Sequence, residues 1–297
     1  MFTGLSAFPL TPMNEQDIDE RAFARLVERL ASAKVDSIGA LGSTGSYAYL
    51  SRAERARLAQ VAVEAAGSVP VMVSIGSLRT RDVLLLADDA QKVGVKALLL
   101  PAVSYQKLSA DEVFSFYKTV SQNISVPLCI YDNPGTSHFD FSDELHGRVA
   151  QLPNVRSIKI PGVPEAPDEA KARVGRLRAL IPKHVTIGIS GDAVASTGLN
   201  AGCEAWYSVM GGLFPETALA ITRAARAGQA DEARRLSERL NPLWALFKQF
   251  GGSLRVVATA AELGGFATAP SLPLPLKTLS EEGRRQLAAL IDELELS

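Results

Sequence analysis

The strongest constraint in this sequence is an alternation of short apolar segments with longer amphipathic ones. Runs rich in Val, Ile, Leu and Ala recur at intervals of roughly 25–35 residues, and a stretch with helical periodicity follows each run. This pattern is typical of βα units, in which buried parallel strands alternate with helices. The predicted strands lie near residues 4–8, 37–42, 70–75, 97–101, 127–131, 155–160, 185–190 and 205–210.

The segments between these strands carry the signals of helices. Apolar residues recur at i, i+3, i+4 and i+7, with charged residues on the opposite face. Ser51 precedes Arg-Ala-Glu and Ser109 precedes Ala-Asp-Glu. Both serines can therefore form capping boxes, with Glu54 and Glu112 as the reciprocal partners. Clear examples of such helical segments are residues 19–32, 51–66 and 79–93.

Eight such units in 297 residues favour one architecture over its main alternative. A doubly wound open sheet usually has a glycine-rich first turn, but the first turn here, residues 8–14, contains no glycine. We therefore predict a closed (β/α)8 TIM barrel, in the α/β class, over residues 1–227. From about residue 216 only helices are predicted, including one long helix over 230–250, so residues 228–297 are expected to form a C-terminal helical region.

Composition excludes several classes of partner. The formal net charge is −1, so no basic surface suggests binding to nucleic acid or to an anionic membrane. No basic leader and no long apolar span is evident, and the two cysteines, Cys129 and Cys203, are expected to be buried free thiols. We expect a cytoplasmic protein whose partner is a small molecule.

Lys159 is the only lysine that interrupts an apolar predicted strand, and it lies near the carboxyl end of that strand. Reacting groups of (β/α)8 enzymes lie at this end. Burial favours the free amine of a lysine, which is the form that condenses with a carbonyl to give a Schiff base. The alternative is a structural lysine that points inward to a buried carboxylate.

Two loops at the same end of the predicted barrel carry polar side chains. Tyr131 ends the fifth strand in the segment 131–136 and could transfer a proton, although a tyrosine here could also be a packed aromatic residue. The segment 41–47 places Ser43 and Thr44 between glycines, where backbone N–H groups can converge on a carboxylate or a phosphate.

Other chemistries have less support. The histidines are His138, His146 and His184, and only His138 follows a strand end, so we expect no metal site. His138 could instead contact substrate or face solvent. Neither a dinucleotide-binding glycine pattern nor a Walker lysine is present, so no nucleotide cofactor is expected. A serine hydrolase is disfavoured because there is no G-x-S-x-G motif.

The order of these motifs resembles that of the dihydrodipicolinate synthase/N-acetylneuraminate lyase family of pyruvate-dependent aldolases. The resemblance covers nearly the whole chain: FPLTP near the start, GSTG after the second strand, YxxP after the fifth, the lysine in the sixth, SGD after the seventh and YSV at the eighth. It implies a (β/α)8 barrel with a C-terminal helical region, and a homotetramer built from tight dimers.

The resemblance also implies roles for individual residues. Lys159 would form the Schiff base with a 2-keto acid such as pyruvate, and Tyr131 would move protons through the Thr44 hydroxyl. Ser43, Thr44 and their backbone amides would hold the keto-acid carboxylate. Backbone groups near the lysine would come from Gly191 and Tyr207.

Three positions depart from dihydrodipicolinate synthases. Thr136, a candidate substrate-binding residue, stands where those enzymes carry an arginine that grips the second substrate. Val103 falls near the position of a tyrosine pair, with Tyr105 as a shifted candidate, and Gly212 replaces an asparagine. These departures favour a lyase of hydroxy-2-keto acids or sugar acids, with dihydrodipicolinate synthase proper and a non-catalytic keto-acid-binding barrel as the alternatives.

Overall fold

The structure is a computed structural model that describes residues 1–297. Eight parallel strands form a closed barrel in which each strand pairs with the next along the chain and β8 pairs with β1. The predicted (β/α)8 TIM barrel is confirmed. The strands are β1 Gly4–Ala7, β2 Ser37–Ala40, β3 Val71–Ser74, β4 Ala97–Pro101, β5 Leu128–Tyr131, β6 Val155–Ile160, β7 Thr186–Ile189 and β8 Ala205–Ser208.

Helices follow every strand and pack around the barrel. Both predicted capping boxes are confirmed. The side chains of Ser51 and Ser109 accept hydrogen bonds from the backbone N–H groups of Glu54 and Glu112, and each glutamate carboxylate accepts a hydrogen bond from the backbone N–H of its serine. The barrel helices are α1 Glu20–Ser32, α2 Arg52–Ala66, α3 Thr80–Lys92, α4 Ala110–Gln122, α5 Pro134–Ser137, α6 Asp143–Ala150, α7 Pro167–Leu180, α8 Ala195–Asn200 and α9 Pro215–Arg226.

Strand register brings the two main candidate residues together. Tyr131 on β5 pairs with Lys159 on β6, and Lys159 pairs with Gly188 on β7. Side chains alternate between the two faces of a strand, so Ile158 and Ile160 point toward the helices while Lys159 points into the barrel. Residues directly opposite each other in a parallel pair share a face, which places Tyr131 beside Lys159.

The C-terminal region consists of four helices, α10 Ala230–Glu238, α11 Asn241–Gln249, α12 Ser253–Leu263 and α13 Glu281–Glu293. The prediction of one helix over 230–250 is wrong. Pro242 lies in the first turn of α11, where its missing N–H costs nothing, whereas inside a continuous helix it would remove a hydrogen bond and clash with the preceding turn. The division into 1–227 and 228–297 stays a prediction.

Both cysteines of the chain, Cys129 and Cys203, are buried free thiols, as predicted. Burial raises their pKa to about 11 and about 12 respectively. None of the helices combines the length and apolar character needed to cross a membrane.

Gly212 allows the turn after β8 to pack against the segment after β1. A β-carbon at Gly212 would lie only 2.0 Å from the carbonyl oxygen of Phe8. Because the obstacle is backbone, no side-chain rotation relieves it. Glycine at position 212, where the resemblance implies asparagine, therefore has a steric reason. The contact also helps to hold Phe8 in place.

We expect Gly212→Ala to lower the free energy of unfolding by about 1–3 kcal/mol, the usual cost of overpacking. Gly175, exposed in α7 where an added β-carbon would meet no neighbouring group within 4 Å, supplies the control. Gly175→Ala should be neutral or stabilising, because alanine loses less backbone entropy in a helix. Urea unfolding followed by circular dichroism compares the two variants, and equal stabilities would contradict the close approach at residue 212.

Candidate active site

A cavity of about 570 Å³ opens at the carboxyl ends of the strands, where the C-terminal region meets the barrel. Its size lies within the range typical of small-molecule sites. Segments after seven of the eight strands contribute to it, which is the usual construction of an active site in this fold. The barrel residues in its lining include Phe8, Ser43, Thr44, Val103, Tyr131 and Lys159.

Lys159 lies at the inner end of this cavity and is only 4% exposed. Its Nζ lies 3.9 Å from the ring centroid of Phe8 and 4.3 Å from that of Tyr131, with the Tyr207 ring at 5.8 Å. The negative faces of aromatic rings attract a cation, so these rings compensate part of the cost of burying the ammonium. The contact with Phe8 leaves no direct sign in the sequence, because the two residues are far apart along the chain.

No carboxylate pairs with Lys159. Neither of the buried acids nearby pairs with Lys159, since Asp132 lies beside His146, at 3.3 Å, and Asp192 accepts hydrogen bonds from Trp206 and Ser208. The structure therefore contradicts the alternative in which Lys159 forms a buried salt bridge. A carboxylate in contact would hold the lysine in its protonated, non-nucleophilic form.

Asp192 connects the ends of β7 and β8. Its Oδ1 accepts from Trp206 Nε1 at 2.9 Å and from Ser208 Oγ at 3.0 Å, and its Oδ2 accepts from the Met210 amide at 2.9 Å. Burial raises the pKa of Asp192, although these donors and the Lys159 charge oppose that shift. The Asp192 carboxylate thus holds together the ends of β7 and β8 beside the lysine. The SGD motif can be seen in the sequence, but this role of its carboxylate cannot.

Tyr131 presents its hydroxyl to a small hydrogen-bond network. The hydroxyl lies 3.1 Å from Ser43 Oγ and accepts a hydrogen bond from Asn133 Nδ2 at 2.8 Å. Burial alone would raise the pKa of Tyr131, but the Lys159 cation and the hydrogen bonds outweigh it, so the pKa lies below its ordinary value. A phenol with a lowered pKa beside an amine is suited to proton transfer. Asn133 was not identified from the sequence.

The hydroxyl next to Tyr131 belongs to Ser43, whereas Thr44 lines the cavity without a hydrogen bond to the tyrosine. The relay through Thr44 stays a prediction, and Ser43 is the residue whose geometry permits one. The backbone N–H groups of Ser43 and Thr44 have no acceptor within the protein. They are therefore free to bind an anion that enters the cavity.

Four further candidates divide into residues that line the cavity and residues that lie outside it. Thr136 and Val103 line the cavity. His138 is exposed and outside the lining, and Tyr105 is 90% exposed, so the structure brings neither of them to Lys159.

Gly191 and Tyr207 lie behind the cavity wall rather than in it. A β-carbon at Gly191 would lie 2.8 Å from the carbonyl oxygen of Pro161, next to the end of β6. The Tyr207 hydroxyl lies 2.6 Å from Ser157 Oγ in the barrel interior, and burial raises its pKa well above the usual value. Both residues support the strand that carries Lys159. No three His, Cys, Asp or Glu side chains converge in an arrangement that could hold a metal ion.

We expect the pKa of Tyr131 to rise when the Lys159 charge is removed. Since the cation favours the phenolate, Lys159→Met should move the titration of Tyr131 to higher pH. The difference in phenolate absorbance between matched proteins with and without Tyr131→Phe isolates this one tyrosine during a pH titration. Lys118→Met, which removes an exposed lysine on α4, should leave the midpoint where it is. An unchanged midpoint in Lys159→Met would show that the two groups are not coupled.

Known proteins show which family shares this sequence and fold. The chain matches the dihydrodipicolinate synthetase family over residues 1–294. It is 31% identical to the 4-hydroxy-tetrahydrodipicolinate synthase of Acidiphilium cryptum, with 100% of this chain and 99% of that protein covered. The solved dihydrodipicolinate synthase of Agrobacterium tumefaciens is 43% identical, with a TM-score of 0.94 over 99% of this chain and 98% of that one. A putative dihydrodipicolinate synthetase from Pseudomonas aeruginosa is 30% identical, with a TM-score of 0.90 over 99% and 100%. The chain therefore belongs to the dihydrodipicolinate synthetase family, as the order of its motifs predicts.

Proposed function

We propose that this protein is a Schiff-base-forming lyase in which Lys159 condenses with pyruvate or a related 2-keto acid. The observation that carries the proposal is a buried lysine without a carboxylate partner, set beside Tyr131 in a cavity of about 570 Å³. Membership of a family of class I aldolases supports the same chemistry. The requirements of the reaction are a nucleophilic amine, a proton carrier and a site for the keto-acid carboxylate.

Each requirement has a residue to meet it. The Lys159 amine attacks the C2 carbonyl to give a carbinolamine, and Tyr131 donates the proton with which the hydroxyl leaves as water. Ser43 lies within reach of the tyrosine hydroxyl and can pass protons toward the cavity. The free N–H groups of Ser43 and Thr44 hold the substrate carboxylate. The product of this step is a protonated imine.

Carbon–carbon cleavage then follows from the imine. The Tyr131 phenolate takes the proton of the substrate C4 hydroxyl, the C3–C4 bond breaks, and its electron pair moves into the imine to form an enamine. An aldehyde leaves, C3 is protonated, and water releases the keto acid and the free Lys159 amine. The lowered pKa of Tyr131 increases the fraction of phenolate available for the proton abstraction.

For the substrate we propose a hydroxy-2-keto acid or a keto sugar acid. Relatives of the chain carry the name 4-hydroxy-tetrahydrodipicolinate synthase, which supports that activity as the alternative. Against it, Thr136 is a neutral residue in the cavity wall at the position where the resemblance implies an arginine. A keto-acid-binding barrel without turnover is the other alternative, and it would form the imine yet release no aldehyde.

We also propose a cytoplasmic homotetramer built from dimers. The free thiols of Cys129 and Cys203 are consistent with a reducing compartment. Two large apolar side chains on neighbouring loops at the active-site end, Leu78 and Tyr105, are 65% and 90% exposed. Contacts with a second copy of the chain would remove this apolar surface from water.

Borohydride reduction tests the Schiff base directly. With pyruvate present, we expect intact-mass analysis to show one covalent adduct per chain, and peptide mapping to place it on Lys159. Lys159→Met should give no adduct, and Lys118→Met should label like the unchanged protein. Absence of an adduct under conditions that label a known relative would refute the mechanism.

Sedimentation velocity tests the assembly. Leu78→Glu places a charge on the proposed interface and should shift the protein toward smaller species. Leu180→Glu, at an exposed position on α7, should sediment like the unchanged protein. A monomeric unchanged protein would contradict the proposed tetramer.

A further inference from the structure

The electrostatic character of the cavity is unbalanced. Of the residues that line it, only Lys159 and Arg255 are charged, and no Asp or Glu side chain lines it. Two cations in a cleft with low-dielectric walls attract anions and disfavour neutral or cationic ligands. A three-carbon keto acid fills only part of about 570 Å³. The cavity therefore has room for a larger ligand than pyruvate, and its charge suits one with more negative charge.

Arg255 enters the cavity from the first turn of α12. Gly251 and Gly252, at φ +70° and +132°, turn the chain sharply between α11 and α12 in a backbone conformation that other residues rarely adopt. This turn brings residues 251–255 to the rim, so that all of them line the cavity. Backbone geometry thus places residue 255 at the cavity.

The guanidinium of Arg255 has no partner within the protein. It is half-buried, yet it forms no salt bridge and donates no hydrogen bond. Other arginines of the C-terminal helices behave differently, since Arg284 pairs with Glu262 and Arg235 pairs with Glu232. A partly desolvated guanidinium without an acceptor is available to a ligand, and its fork of donors matches a carboxylate bidentately.

The N-terminus of α12, which lies at the cavity, adds to its positive potential. The helix has no side-chain cap and no acidic residue in its first turn. Its N-terminal N–H groups therefore contribute a partial positive charge beside Arg255.

We infer that Arg255 binds a second carboxylate at the far end of the substrate, so that the enzyme selects 2-keto acids that are dicarboxylates. The inference rests on the proposed function, because it assumes that Lys159 holds the keto carbon. It requires that the first carboxylate binds the N–H groups of Ser43 and Thr44, which have no other acceptor. Arg255 is then a specificity-determining residue supplied by the C-terminal helices.

Borohydride trapping with matched 2-keto acids tests this assignment without knowledge of the aldehyde half. The probes are 2-oxoglutarate against 2-oxopentanoate and 2-oxoadipate against 2-oxohexanoate, because each pair differs only in a terminal carboxylate or methyl group. The measurement is the acid concentration that gives half-maximal adduct on Lys159. The variants are Arg255→Met and Arg255→Lys, with Arg285→Met, an exposed arginine on α13, as the control. Thermal unfolding checks that each protein is folded.

In the unchanged protein we expect the dicarboxylate of at least one pair to label at ~10–100-fold lower concentration, the usual contribution of a charge-assisted hydrogen bond. Arg255→Met should abolish the preference, Arg255→Lys should retain part of it, and Arg285→Met should retain it in full. The inference is overturned by equal labelling within both pairs, by a preference that survives in Arg255→Met, or by adducts with pyruvate but with neither longer acid. Failure of pyruvate itself to label the unchanged protein would instead remove the proposed function.

Discussion

The active site depends on keeping one ammonium group inside a barrel without giving it a carboxylate. Aromatic rings of Phe8, Tyr131 and Tyr207 surround Lys159, and the nearby buried acids, Asp132 and Asp192, lie against other groups. Aromatic rings attract the ammonium through their negative faces without forming an ion pair with it. The same charge lowers the pKa of Tyr131, so one contact involves both of the groups on which the proposed mechanism relies.

The C-terminal helices complete the site that the barrel begins. Strand ends supply the amine, the phenol and the Ser43–Thr44 loop, while the turn at 251–252 delivers a second cation to the same cavity. The interaction surface offered to a ligand is therefore positive at two places that come from separate parts of the chain. Such a division lets the barrel keep one reaction while the added helices alter the substrate.

Much of this protein could be predicted from local patterns. The alternation of strands and helices, the capping boxes and the order of motifs correctly predicted the barrel, its family and the enzyme class. The helix over 230–250 was predicted wrongly because apolar periodicity continues across Pro242, although the proline begins a new helix. His138 follows a strand end in the sequence, yet its side chain is exposed, because position after a strand does not determine direction.

Local patterns are enough to show which residues could react, because periodicity places Lys159 inside a buried strand and the motif order is specific to one family. The partners of these residues depend instead on how the chain folds. Phe8 and Asp192 reach the site through strand register and loop packing, which bring together residues distant in the chain, whereas Asn133 bonds Tyr131 from two residues away in the same loop. The same holds for Arg255. In the sequence it is one of many cations on helices, and only the fold brings it to the cavity that contains Lys159, in whose lining there is no carboxylate.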